Sequence, residues 1–336
     1  MPGAGDVKAG GAYVEITAND SKLNAALKRA EQKFKAFGDR MSKMGTKFAV
    51  AGAAVTAPFV QGVRVAAQFD KSITQVNTLL DGTSEKHFPK MRESARAMAV
   101  EFGQGADRVA SALFDIVSAS VPAEHAVDTL RVALKAAAAG GTDVKVAADA
   151  MTTIMNAFES QGVDAAKAAD VLFQSAKRGK TNFELLAGSV GMVASTASVA
   201  GLSLEETAAM LSTMTRAGVK TEVAVTSLNS ILSTFIKPTD GAMDAAKKFG
   251  FELNTTTLRT EGLAGVMEKL KSASAEDLGA IFPDVRALRG VAPALQDIAG
   301  FTDDLVAMQG AAGSVDVAFE KVEQGGALAF ARLQAQ

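Results

Sequence analysis

His87 and His125 are the only imidazoles in the chain, and they lie 38 residues apart. A zinc site needs several ligands at one point, usually with one pair at helical or turn spacing. Neither histidine has such a companion. His125 falls early in an apparent helix and reads as a surface or interface residue. Gly179-Lys180-Thr181 has the ending of a phosphate-binding loop, in which the lysine and hydroxyl meet phosphate and magnesium. That motif needs another glycine five residues earlier, where Gln174 stands on a helical stretch, and no strand precedes it. The tripeptide therefore reads as a helix-ending glycine followed by an N-cap threonine. "GQGADR" (103–108) lacks the third glycine and the βαβ setting of a dinucleotide site, and reads as a helix start. Carboxylate pairs such as Glu205-Glu206 stand on helix faces, with no His, Ser or Lys arranged for proton transfer or nucleophilic attack. The chain has no cysteine, which removes disulfides, thiolate metal sites and cysteine nucleophiles together. No catalytic, cofactor-binding or metal-ligating residue is expected, and the chain does not read as an enzyme.

The elements that would position any chemistry are helices. Of 336 residues, 48% are hydrophobic and 21% charged, so a real core can be buried. The formal net charge is −2, which gives no global pull toward nucleic acid. With no Trp and one Tyr, platforms for base stacking are scarce, and no specific nucleic-acid binding is expected. Alanine, the best helix former, is abundant, and period-two alternation is almost absent.

The exception is "AYVEITAND", whose residues 12–17 alternate and read as one short strand or extended arm. Next, Leu23, Ala26, Leu27, Ala30, Phe34, Phe37, Met41, Met44 and Phe48 recur in steps of three and four. They form the narrow apolar seam of an amphipathic helix with a basic opposite face. Three readings stay open: a solvated helix face, a self-associating coiled coil, or a membrane-surface helix. For self-association the candidates are Leu23, Leu27, Phe34, Phe37, Met41 and Met44. The most apolar window, Phe48–Phe69, offers Phe48, Val50, Val55, Phe59 and Val60 as candidate membrane contacts. Pro58, Gln61 and Arg64 interrupt it, and a spanning helix needs about 20 apolar residues. A buried Ala-rich helix is the competing reading. Ala49, Ala53 and Ala57 would permit close helix approach in either setting.

From about residue 101 the pattern becomes regular. Glycines at 141, 162, 179, 201 and 218 each precede a cap-type residue, and predicted helix starts fall near 143, 164, 182, 203 and 221. Two starts make a period of about 39 residues, in the range of helical-repeat arrays. "SLEE" (203–206) and "TNFE" (181–184) read as capping boxes. Met151, Met155 and Phe158, and Met210, Leu211 and Met214, recur at helical spacing and read as core. In "FIKPTDGAMDAAKKFGFEL", Lys237 before Pro238 must leave helical geometry. Thr239 or Asp240 then caps a helix that stops at Gly250. Pro238, Thr239, Asp240 and Gly250 are thus a structural turn with no chemistry of its own. "NTTTLRTEGL" (254–263) is polar, Thr-rich and expected to be extended. The fold class is all-α: an array of antiparallel α-hairpins preceded by a long N-terminal amphipathic, coiled-coil-type helix and one short strand.

Taken in order, these features resemble the core region of phage tail tape-measure proteins, the minor tail protein family of long-tailed phages. "QFDKSITQVNTLL" (68–80) looks like the family's core-opening element, and "NAFESQGVDAAKAADVLFQSAKRGKTNFELLAGSV" resembles its paired helices, with Ala-Ala-Asp-Val-Leu at 168–172. The most specific stretch is "AGLSLEETAAMLSTMTRAGVKTEVAVTSLNSILSTFIKPTDGAMDAAKKFGFEL", and "IFPDVRALRGVAPAL" resembles the closing segment. The resemblance covers residues 12–300. It implies a structural role in the lumen of a virion tail. The protein would be made in the bacterial host cytoplasm, present in a few copies, and surrounded by polymerising tail-tube protein. Its partners would be tail-assembly chaperones and a baseplate or distal tail hub. It would set tail length and leave ahead of the genome, with host-membrane contact or a generic helical scaffold as alternatives. The implied organisation is an arm with a short strand (1–20), an amphipathic and an apolar helix (21–67), a tape-measure core (68–300) and a C-terminal helical segment (301–336). The chain stops inside an apparent helix, which reads either as a fragment with N-terminal and core regions or as a short variant.

Overall fold

The computed structural model describes residues 53–335. The chain divides into two units, Met1–Val63 and Arg64–Gln336, and the fold is that of the second. Seventeen α-helices and no strand occur among the described residues. They are α1 (Ala53–Asn77), α2 (Phe88–Glu101), α3 (Ala106–Ser118), α4 (Ala123–Gly140), α5 (Val144–Ala157), α6 (Ala165–Arg178), α7 (Phe183–Ser189), α8 (Gly191–Ala200), α9 (Leu204–Arg216), α10 (Thr221–Ile236), α11 (Asp240–Lys247), α12 (Thr255–Lys269), α13 (Ala275–Ile281), α14 (Val285–Gln296), α15 (Ile298–Gln309), α16 (Ser314–Glu323) and α17 (Gly326–Ala335). The all-α expectation holds; the strand expected at 12–17 lies outside the described residues.

The caps explain where the helices begin. Gly141, Gly162 and Gly201 take left-handed φ values of 66°, 66° and 91°, which a side chain would oppose. Asp143 and Asp164 then accept from the amides of Lys145 and Lys167. Ser203 and Glu206 form the expected reciprocal box at the start of α9. The five predicted starts agree with the observed ones to within a residue or so.

Four local expectations are corrected. The stretch from 183 to 200 is two helices, α7 and α8, bent by 62° at Val190. "TNFE" is no capping box: Asn182 caps α7 by accepting from Leu185, while the Thr181 hydroxyl pairs with that of Thr221 at 2.7 Å. Thr221 itself is the first residue of α10 rather than its cap, which is Lys220. Residues 254–263 are largely helical. Asn254 caps them by accepting from Thr257, and the Thr260 hydroxyl donates to the Thr256 carbonyl, so these polar groups bond locally instead of extending the chain. The helix breaks at Gly262 (φ 69°, ψ 172°), where Glu206 reaches over and accepts from the Leu263 amide. One carboxylate thus serves the starts of two helices.

Helices pack on others one to three places away in the chain: α3 on α5, α4 on α5 and α6, α6 on α9, α8 on α10. The chain after Pro283 then folds back over this layer. α14 lies on α10, α15 on α9, and α16 on α4 and α6. Many alanines in the layer, including Ala110, Ala133, Ala147 and Ala209, have no exposed surface, which lets backbones approach closely. Met151, Phe158, Met210, Leu211 and Met214 are buried as expected, and Met155 is partly buried against them.

The Pro238 turn is a joint with an aromatic centre. Lys237 leaves helical geometry (φ −137°, ψ 71°), Thr239 accepts from Ala242 to open α11, and Gly250 takes φ +76°. Phe235 before the joint then meets Phe251 after it and Phe282, each with ring centroids 6.4 Å apart. Phe235 is buried at the centre of this trio. Phe235→Ala should lower the unfolding free energy by about 3–5 kcal/mol, a fully buried aromatic lost with its cavity left behind. Urea denaturation measures this, and a loss under about 1 kcal/mol would mean that the trio does not hold the joint.

Candidate functional site

Among the described residues only two charged side chains are buried, Asp170 and Asp304. Burying a carboxylate is costly unless it is paired and hydrogen-bonded. Both are. Asp304, on α15, has no exposed surface; its Oδ1 accepts from Arg178 Nε at 2.5 Å. Its Oδ2 accepts from Arg216 Nη1 at 2.6 Å and from the Thr213 hydroxyl at 2.9 Å. Arg178 ends α6 and Arg216 ends α9, so each cation also faces the negative end of its own helix dipole. Arg216 reaches on to Asp297 at 2.8 Å, and Asp297 accepts from the Gly300 amide, capping α15. The hydrogen bond from Arg216 holds the Asp297 carboxyl below its usual value, against a smaller opposing effect of burial.

Asp170, in the middle of α6, belongs to the Ala-Ala-Asp-Val-Leu run. It accepts from the Gly313 amide at 2.7 Å and the Val315 amide at 2.8 Å. Those amides open α16, whose own N-cap, Gly313, has no side chain to offer. The cap therefore comes from another helix. Sequence reasoning missed both carboxylates, because neither has a local partner: their partners lie 88 to 145 residues away. The arginines in the last turns of α6 and α9 were the available signal.

The other candidates resolve as follows. Gly179 ends α6 in an extended conformation, and an added Cβ would strike the Thr215 hydroxyl. It permits α6 to approach α9 and is part of no phosphate loop. Gly105 precedes α3, so "GQGADR" is a helix start. His125 is exposed on α4 and His87 is partly buried. The described residues contain no cluster of His, Asp and Glu fit to hold a metal. An open polar groove near α3 and α5 is lined by Asp107, Arg108, Asp115, Asp143 and Lys145, with the cations paired to Asp143 (3.7 Å) and Asp115 (3.3 Å). Pro238, Thr239, Asp240 and Gly250 form the turn described above. Val55, Phe59 and Val60 lie in α1. Leu23, Leu27, Phe34, Phe37, Met41, Met44, Phe48 and Val50 lie outside the described residues. No single described helix is long and apolar enough to cross a membrane; the bent α7–α8 pair has the length and composition, and much of it is buried in the core.

A family described as phage-related minor tail protein matches residues 92–308, more than half of the chain. The chain belongs to that family. Its shared region runs from α2 through α15 and contains Asp170, Asp304, both arginines and the Pro238 joint. Relatives include the tape measure protein of Pneumococcus phage Dp-1, 26% identical over 272 residues, which are 78% of this chain and 23% of that protein. The probable tape measure protein of Escherichia phage P2 is 24% identical over 78% of this chain and 32% of its own length. That of Clostridium phage phiCD119 is 23% identical over 84% and 32%. The chain thus corresponds to about a quarter to a third of the curated relatives it matches. No solved structure matches it.

In a family member built around this cluster, Asp304→Ala leaves two arginines facing each other and should cost about 3 kcal/mol or more in stability. Thermal unfolding of the variant checks this, and an unchanged melting temperature would contradict the assigned role. Asp297 gives a pH test. Its folded pKa lies below the unfolded value of about 3.9, so its contribution is complete above that value and is lost as pH falls through the folded one. The melting-temperature gap between wild type and Asp297→Asn should be constant from about pH 6 to 8 and shrink below about pH 4. A gap that stays open in acid would refute the pairing.

Proposed function

We propose that this chain is the folded core of a phage tail tape-measure protein, structural rather than catalytic. The observation that carries this reading is the alignment of 78–84% of the chain with proteins of three phages called tape measure or probable tape measure. The all-helical architecture agrees with it.

In this role the chain sits in the lumen of the virion tail after synthesis in the bacterial cytoplasm. A few copies are gathered by tail-assembly chaperones and a baseplate or distal hub, and tail-tube protein polymerises around them. The apolar stripe of Leu23, Leu27, Phe34, Phe37, Met41 and Met44 brings the copies together. A chain of 336 residues drawn out as one helix would reach about 500 Å at ~1.5 Å per residue. Folded into a helical layer with a return segment, it spans far less, so the core contributes little to a ruler unless it opens.

Electron microscopy of particles made with an in-frame deletion of this gene is the direct test. Tails should be missing or altered in length. Normal tail yield with unchanged length would sink the proposal.

A further inference from the structure

α16 and α17 differ from every helix they touch. Of their residues, Val315, Phe319 and Leu328 are buried, while Val317, Phe330 and Leu333 are more than half exposed. In α4, eight of eighteen residues are buried, and in α6 seven of fourteen. Local stability follows buried apolar contact, so α16–α17 lie at the low end of the scale for this fold.

What holds the pair is mostly polar and specific. The Asp170 carboxylate caps α16 from α6, and the Ser314 hydroxyl donates to the Asp170 carbonyl at 3.1 Å. Lys135 on α4 pairs with Asp316 at 2.6 Å. Phe319 tilts against Phe102 with centroids 5.3 Å apart. At the far end, Arg332 Nε donates to the Glu101 carbonyl at 2.5 Å while its Nη2 meets Glu323 at 2.6 Å. Gly103, at φ +60°, makes room for this seat, since a Cβ there would lie 2.6 Å from that of Ala331.

The anchors divide along a boundary. Glu101, Phe102, Gly103, Lys135 and Asp170 all belong to the family region, residues 92–308, and the helices they hold lie beyond it. Gly310 and Gly313, the latter at φ +78°, flank the short connection from α15. By contrast α15 is fixed by Asp304, Phe301 and Met308, all essentially without exposed surface.

We infer that α16–α17 is a strap that opens as one unit about the 310–313 connection, leaving the family region folded. Opening uncovers Phe102 and the Asp170 carboxylate.

Hydrogen exchange followed by mass spectrometry on the full chain tests this. Amides of α16 and α17 should exchange together, at least about 100-fold faster than those of α9 and α10. Two surface variants distinguish a unit from separate fraying of each helix. Asp316→Lys, on α16, should accelerate amides of α17 as well as α16 by about three- to ten-fold, the scale of one exposed ion pair lost and made repulsive. Arg332→Ala, on α17, should accelerate amides of α16. Neither should move α9 or α10, and adding Lys135→Glu to Asp316→Lys should restore protection. The strap is refuted if α16–α17 exchange at the rate of α9, if each variant affects only its own helix, or if both variants accelerate the whole fold.

Discussion

A carboxylate without access to water is tolerable only where its partners are held in place, and Asp304 makes that demand on three helices at once. α6 and α9 must bring Arg178 and Arg216 to one point, and α15 must lie across both. Once that is met, the neighbouring arrangement follows. The Arg216 guanidinium reaches Asp297, Asp297 caps α15, and the chain leaving α15 arrives where Asp170 can cap α16. The helix layer is packed by small residues, which place few constraints on sliding. The buried charges supply the register that alanine faces do not.

What could be read in the chain followed from local physics. Glycines with positive φ and Asp, Asn or Ser caps mark helix ends within a few residues of themselves, so Gly141, Asp143, Ser203 and Thr239 were legible. Thr-rich "NTTTLRT" misled because composition suggests an extended segment, whereas the Asn254 cap and the Thr260 hydroxyl satisfy backbone groups of a helix. The bend at Val190 was hidden because no proline marks it. The return of α14–α16 was illegible for a different reason. A carboxylate in an amphipathic helix looks the same whether it faces water or an arginine 126 residues away. Of the candidate sites, the Pro238 joint was legible and the buried carboxylate pair was not.

For the tape-measure role proposed above, a compact core is an unexpected state. The fold reconciles the two, because its helices already have the geometry of an extended rod and only their packing makes them compact. Drawing the chain out separates helices without remaking their internal hydrogen bonds. The polar seams at Asp170 and Asp304 are the places where such separation costs most.

The distance in sequence between Arg178 and Asp304 also sets a clock. A ribosome adding about 5–20 residues per second needs roughly 6–25 s to make the 126 residues between them. α9 is complete once Arg216 is made, and for the remaining 88 residues both terminal arginines have no carboxylate and the face later covered by α15 is open. The nascent chain is therefore most exposed to misassociation between the synthesis of Arg216 and that of Asp304, and a helper protein that shields it would act in that window.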